Sequence, residues 1–371
     1  MTTIAITGVA GLIGRLVLEE LDARSEVRRI VGIDRQPPAG FEAGKLAYRE
    51  LDVRDPGLVD ALDGVDVLVH LAFQFDPIHD EAAMRSINVD GTRAAIAAAE
   101  QAGVDHVVYA SSVVAYGARA DNDVPLTEDS PLRGVPGFNY AEHKREVEEH
   151  LAPRLAAAPD GDGPTLTVLR LGALLGPGVE NFFTRILESP RVPAIKGHRP
   201  PLQFLHRDDA VTAIVHAVDQ RLHGAYNVAA EGWLSYDEAA AIVGRGVTEL
   251  PEEVAYSTLA RLWSLGIGEQ PPGIISLLVH PWVMSSAKFV ATGWRPRQTN
   301  RDAIASTAAE HAPYVSLLGV RTRWASVRRA AAGAAVVTAL LTWRMLVAVR
   351  RRRVARGCVD SEVAADGQLP R

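Results

Sequence analysis

Short apolar, β-branched runs alternate with longer stretches of helical periodicity through the first half of the chain. Thr3-Ile4-Ala5-Ile6-Thr7 is the first such run, and its unbroken hydrophobicity predicts a strand buried on both faces. It gives way to Gly8-Val9-Ala10-Gly11-Leu12-Ile13-Gly14 and then to the amphipathic Arg15 to Leu21, which predicts a turn and a helix. Further strands are predicted over Arg29 to Asp34, Lys45 to Asp52 (before a helix near Pro56), Val65 to Ala72, Asp105 to Ser112 and Thr165 to Leu171. Glu81 to Gln101 reads as one long Ala-rich helix closed by Gly103, and Tyr140 to Leu155 as another. Such alternation implies right-handed crossovers and a doubly wound α/β fold. Its parallel sheet would bind ligands beyond the carboxyl ends of the strands.

Past Gly176-Pro177-Gly178 the rhythm changes. Pro-rich loops, shorter helices and an isolated strand at Ala225 to Val228 predict a smaller lobe that shapes a substrate pocket. The expected organisation is a dinucleotide-binding domain over 1–175, a substrate-binding lobe over 176–312, a basic, apolar helical tail over 313–356 and a disordered end over 357–371.

Composition sharpens this picture in two places. A 371-residue chain that is 47% hydrophobic can bury a full core, while the single cysteine, Cys358, excludes an internal disulfide framework. No His/Asp/Glu cluster has ligand spacing, so no metal is expected. Charge is uneven: the ten arginines of 321–356, with no acid among them, carry +10 of a net −6, leaving −16 on the rest. An acidic body argues against nucleic acid as a partner and directs the tail to membranes or acidic partners. Ala330 to Val349 carries one charge, Arg344, and is about as long as a bilayer core is thick. A membrane helix, a helix packed on the body or on the second subunit of a homodimer, and a disordered basic tail are the three readings of it. No apolar leader follows Met1, so the body is expected in the cytoplasm, with membrane association through the tail.

The glycine turn has chemistry of its own. Gly8 lets the chain leave the strand sharply, Gly11 lets backbone approach a pyrophosphate, and Gly14 lets helix and strand pack closely. The helix N-terminus would face the phosphates. Asp34 ends the second strand about 20 residues on, where a carboxylate accepts from the adenosine ribose. This Rossmann-type arrangement predicts NAD rather than NADP, since Asp34 would repel a 2′-phosphate; Arg35, able to pair with that phosphate, is the counter-argument. Tyr140 and Lys144 stand four apart on one helix face, so the ammonium can lower the phenol's pKa and reach a ribose hydroxyl. Ser112, at the carboxyl end of the fifth strand, can hydrogen-bond the same substrate oxygen. Ser111 is expected to be structural, and His70 and His206 to be hydrogen-bonded core or loop residues.

Thr7 to Gly14, Asp34, Asp52-Val53, Asn88-Val89-Asp90-Gly91-Thr92, Ser111 to Gly117, Tyr140 with Lys144, and Phe204 to Asp209 together resemble the extended short-chain dehydrogenase/reductase superfamily, in its epimerase/dehydratase branch. The resemblance covers roughly residues 1–300. It implies Tyr140 as acid/base, Lys144 as its activator and ribose ligand, and Ser112 as substrate-oxygen ligand. It also implies cofactor contacts from Ala10, Leu12, Ile13, Arg35, Leu71 and Ala72 beside the three glycines and Asp34, with Asp52 and Val53 at the adenine and Asn88 organising the site. Val113-Val114 stands where sugar-nucleotide dehydratases carry an acidic pair, which argues against dehydration. Ala173 and Leu202 stand where nucleotide-diphosphate binders carry Asn and Arg; Asn181 and Arg199 lie nearby. The expected substrate is a nucleotide sugar or a related molecule. The alternatives are a bulkier apolar alcohol or ketone, as in the hydroxysteroid and dihydroflavonol branches, or no reaction at all in an NAD-binding sensor.

Overall fold

The computed structural model describes residues 1–40, 44–157, 163–266, 268–317 and 320–326. The tail helix expected over 330–349 and the end expected to be disordered lie outside the described residues.

Each apolar run forms a strand: β1 (Thr2–Thr7), β2 (Val27–Asp34), β3 (Leu46–Glu50), β4 (Val67–His70), β5 (His106–Ser112) and β6 (Thr165–Leu171). Between them lie α1 (Leu12–Asp22), α2 (Leu58–Ala61), α3 (Glu81–Arg85), α4 (Gly91–Gln101) and α5 (Asn139–Ala156). The chain continues through β7 (Ala173–Leu175), α6 (Phe182–Glu188), β8 (Val192–Ile195), β9 (Phe204–His206), α7 (Arg207–Gln220), β10 (Gly224–Val228), α8 (Tyr236–Val243), β11 (Val247–Leu250) and α9 (Glu252–Ser264). Among the described residues the main sheet has seven strands in the order β10-β6-β5-β4-β1-β2-β3, each pairing between neighbours parallel. The strand order reverses beside β1, so a crevice opens there between β1 and β4.

Period-two alternation explains the two buried faces. Ile4 and Ile6 of β1 pack with Val17, Leu18 and Leu21 of α1 and with Val211, Ile214 and Val218 of α7. Ala5, between them, faces the opposite cluster with Ala95, Ile96 and Ala99 of α4 and Val147 and Leu151 of α5.

Two expectations change. The strand at 225–228 is not isolated: as β10 it pairs with β6 from Gly224↔Thr167 to Val228↔Leu171, because α7 carries the chain back across the sheet. The helix expected over 81–101 is interrupted by a turn of π-helix at Ser86–Asp90, and π-turns of this kind frequently mark functional positions. Asn88 lies in that turn.

Residues 1–312 form one compact unit, and a second begins at Pro313. The short strands Tyr314–Leu317 and Val320–Arg323 pair with one another, and the Arg321 guanidinium lies 4.1 Å from the Tyr314 ring centre. Among the described residues no helix is long and apolar enough to cross a membrane.

Candidate active site

The glycine turn is built as its spacing demands. Gly8 has φ +74°, and a Cβ there would lie 2.7 Å from the Ala72 nitrogen, so the segment after β4 runs hard against the turn. A Cβ on Gly14 would fall 2.1 Å from the Gly8 carbonyl oxygen. Gly11 precedes α1 and gives its N-terminus no side-chain cap, leaving backbone N–H groups for an anion. Asp34 accepts from the Ala10 N–H at 3.0 Å and from the Arg35 N–H at 2.7 Å. Ala10, Gly11, Asp34, Arg35 and Gln36 line an open pocket of about 500 Å³. This cradle, in which side chains are excluded from Gly8 and Gly14 and a carboxylate is fixed at its far end, fits a dinucleotide. Asp52 is ion-paired with Arg54 at 2.7 Å, and that hydrogen bond holds its carboxyl down at about 2; Val53 beside it is buried.

Ser112, Tyr140 and Lys144 come together where β5 ends and α5 begins. Burial pushes the Tyr140 phenol up to about 12, opposed by a hydrogen bond with Ser112. Here the structure departs from the expectation that Lys144 lowers this pKa. The Lys144 Nζ donates to the Ala110 carbonyl at 2.7 Å and to the Tyr109 hydroxyl at 3.3 Å, and lies 5.7 Å from the Tyr140 ring centre. Burial depresses the Lys144 ammonium well below the usual lysine range, and Glu148, one helical turn further on, partly restores it.

Residues that spacing did not single out complete the site. Phe73, Phe75 and Phe138 surround Tyr140 with ring centres at 5.6, 4.9 and 5.9 Å. Asn88 holds the loop that carries the first two: its Oδ1 accepts from the Gln74 N–H at 2.6 Å and its Nδ2 donates to the Gln74 carbonyl at 3.0 Å. The same Nδ2 lies 3.3 Å from His143 Nδ1. Behind Lys144, buried Glu148 pairs with Arg170 at 2.7 Å and accepts from Ser111 at 2.5 Å, while Arg170 donates to the Tyr116 hydroxyl at 2.6 Å. Glu148 was legible in principle, since Tyr140, Lys144 and Glu148 recur at intervals of four on one helix face. Nothing in the spacing signalled Phe73 or Phe75.

His70 is buried between the hydroxyls of Thr7 at 2.7 Å and Thr92 at 3.1 Å. His206 caps α7, its Nδ1 accepting from the Asp208 N–H at 3.3 Å, and Asp209 accepts from the N–H groups of Arg297 and Gln298, both at 2.9 Å. On the substrate side, Asn181 is occupied in capping α6 and donating to the Leu174 carbonyl, and Arg199 pairs with Glu249 and lies 3.7 Å from Asp237. Away from the site, Glu180, Glu188 and His311 bring ligand atoms within 4.8 Å of one another, a grouping hidden in the sequence because His311 stands 123 positions after Glu188. Arg185 lies 3.1 Å from Glu180 and 3.7 Å from Glu188, and His311 Nδ1 lies 2.7 Å from Glu188, so these carboxylates are answered by protein cations and an imidazole.

Residues 4–229 match the family described as NAD dependent epimerase/dehydratase. An uncharacterized protein of Mycobacterium tuberculosis is 27% identical over 256 residues, 67% of each chain. The 3 beta-hydroxysteroid dehydrogenase/Delta 5→4-isomerase of vaccinia virus is 30% identical over 156 residues, 40% of this chain and 45% of that one. Among solved structures, MoeE5 in complex with UDP-glucuronic acid and NAD superposes with a TM-score of 0.65 at 23% identity, covering 84% of this chain and 99% of the other. The UDP-glucose 4-epimerase of Thermotoga maritima gives 0.64 at 16% identity, with coverages of 84% and 99%. At these identities the two structures show the fold.

Proposed function

The chain belongs to the NAD dependent epimerase/dehydratase family, and from that premise we propose that it oxidises a secondary alcohol or reduces the corresponding ketone, with Tyr140 as proton carrier. Gly8, Ala10, Gly11, Leu12, Ile13, Gly14, Asp34, Leu71, Ala72 and Lys144 would hold the NAD, with Asp52, Val53 and Arg35 toward its adenosine end. Bound NAD supplies a hydride acceptor. Tyr140 takes the proton from the substrate hydroxyl as the hydride leaves carbon, and Ser112 hydrogen-bonds the same oxygen in both oxidation states. The observation that carries this reading is the meeting of Tyr140 with two buried polar side chains, Lys144, whose ammonium lies 5.7 Å from the phenol ring centre, and Ser112 at the carboxyl end of β5.

The surroundings of Tyr140 favour an apolar ring alcohol as substrate. Three phenyl rings stand against the phenol, Phe75 is 38% exposed there, and Asn181 and Arg199 are committed to protein partners. The hydroxysteroid dehydrogenase relative points the same way. A nucleotide sugar is the second reading, supported by a cavity of about 190 Å³ that Arg119, His280 and Ser276 line together with the acidic Glu252; the Arg119 guanidinium there could meet a phosphate, against the opposing charge of Glu252. Screening both classes by cofactor absorbance, with mass spectrometry for redox-neutral isomers, tests the proposal. NAD binding with no turnover of either class would favour a sensor. We read 321–356, from its arginines, as a segment drawn to anionic membrane surfaces.

A further inference from the structure

We infer that Phe73 is a positioning residue that occupies the ammonium of Lys144 and must leave it for the cofactor ribose to be bound. The inference rests on Lys144 being a cofactor residue, as proposed above. An ammonium has three donors. Two of those on Lys144 go to Ala110 and Tyr109, and the Phe73 ring centre lies 3.5 Å from the nitrogen, well within the range of a cation–π contact. The Tyr109 and Tyr140 rings stand further off, at 4.8 and 5.7 Å. The direction left for a ribose hydroxyl is therefore the one that the Phe73 face covers, and the two cannot be used together.

Position in the chain supports the same conclusion. Ala72 packs against Gly8 of the cofactor turn, and Phe73 is the next residue, set edge-on to Tyr140 at 5.6 Å. Its neighbour Gln74 is fixed through both backbone groups by Asn88. The loop is pinned, so the exchange is a rotation of one side chain about its own bonds rather than a movement of the segment.

The chain has four lysines, Lys45, Lys144, Lys196 and Lys288, of which Lys196 and Lys288 are exposed and serve as internal standards. Full-length protein and its Phe73→Leu and Phe73→Ala variants are reductively methylated with formaldehyde, and each lysine is followed by peptide mass spectrometry; NAD affinity is measured by calorimetry, with thermal unfolding as the check on folding. Removing the ring should speed methylation of Lys144 about tenfold relative to Lys196 and Lys288. It should also tighten NAD by about 2- to 30-fold, the worth of a desolvated cation–π contact, with Phe73→Leu in the same direction as Phe73→Ala. Unchanged Lys144 labelling, or NAD bound no more tightly by either folded variant, overturns the inference. Lys144→Met separates it from the parent reading. If that change weakens NAD while the Phe73 variants do not tighten it, the inference about Phe73 alone fails; if it leaves NAD binding unaltered, Lys144 is not a cofactor residue and both fall.

Discussion

Tyr140 shows how a single phenol depends on its neighbours. Burial among aromatic rings raises its pKa to about 12, and only a nearby positive charge or a hydrogen bond to the phenolate makes it a usable base at neutral pH. Tyr140→Phe removes that oxygen and keeps the ring, so turnover should fall about 100-fold or more with NAD affinity nearly unchanged; activity near that of the unmodified protein would move the proton to another group. His70 carries a stability prediction. Burial first, and Lys144 second, depress its pKa from 6.5 to about 3, so the folded protein holds it neutral while the unfolded chain protonates it below pH 6.5. The stabilisation is complete above pH 6.5 and is lost progressively as pH falls toward 3. At pH 5 this one residue costs about 2 kcal/mol of stability. Denaturant unfolding at pH 7 and pH 5, with His70 followed by NMR, measures it; a free energy unchanged between the two would count against the buried neutral imidazole.

At the scale of elements, the turn from β1 into α1 depends on one close approach. Gly14→Ala would place a methyl 2.1 Å from the Gly8 oxygen, so strand and helix must part. A loss of about 1–3 kcal/mol of stability is expected, together with at least about tenfold weaker NAD binding, since the helix N-terminus would no longer be held at the phosphates. Normal affinity by calorimetry would mean that the phosphates sit elsewhere. At the end of β2, Asp34 accepts from both Ala10 and Arg35, which fixes its carboxylate on the pocket floor. NAD should bind much more tightly than NADP, and Asp34→Ala should narrow the gap; tighter binding of NADP to the unmodified protein would give the ribose to Arg35. The order of these elements was legible because the strands of the main sheet other than β3 are mostly apolar, largely buried runs. The π-turn at Ser86–Asp90 was not, because one extra residue in a helix changes hydrogen bonding without changing an Ala-rich pattern.

For the whole molecule, charge is the property to test. The ten arginines of 321–356 stand against an acidic remainder, and attraction of such a segment to an anionic surface is screened by salt. Full-length protein should co-sediment with anionic liposomes at low salt and be released at high salt, whereas protein ending at Ser326 should stay in the supernatant. Equal recovery of both forms would remove the membrane role. Beyond the glycine turn the lobe is not a separate layer on the sheet, since β10 joins β6 at its edge.

The sequence by itself determined the strands of the main sheet, their parallel pairing, the glycine turn and the Tyr140–Lys144 spacing, because these depend on local periodicity and on positions a few residues apart. Only the tertiary structure decided what surrounds them. Phe73 and Lys144 are 71 positions apart, and Glu148 meets Arg170 and Ser111 across two strands and a helix. Whether Lys144 faces the phenol, a backbone carbonyl or an aromatic ring is settled by packing among distant segments. The spacing placed the ammonium on the right face of the helix, but which neighbour it serves depends on how deeply the folded chain buries it and on which acceptors the sheet leaves within reach.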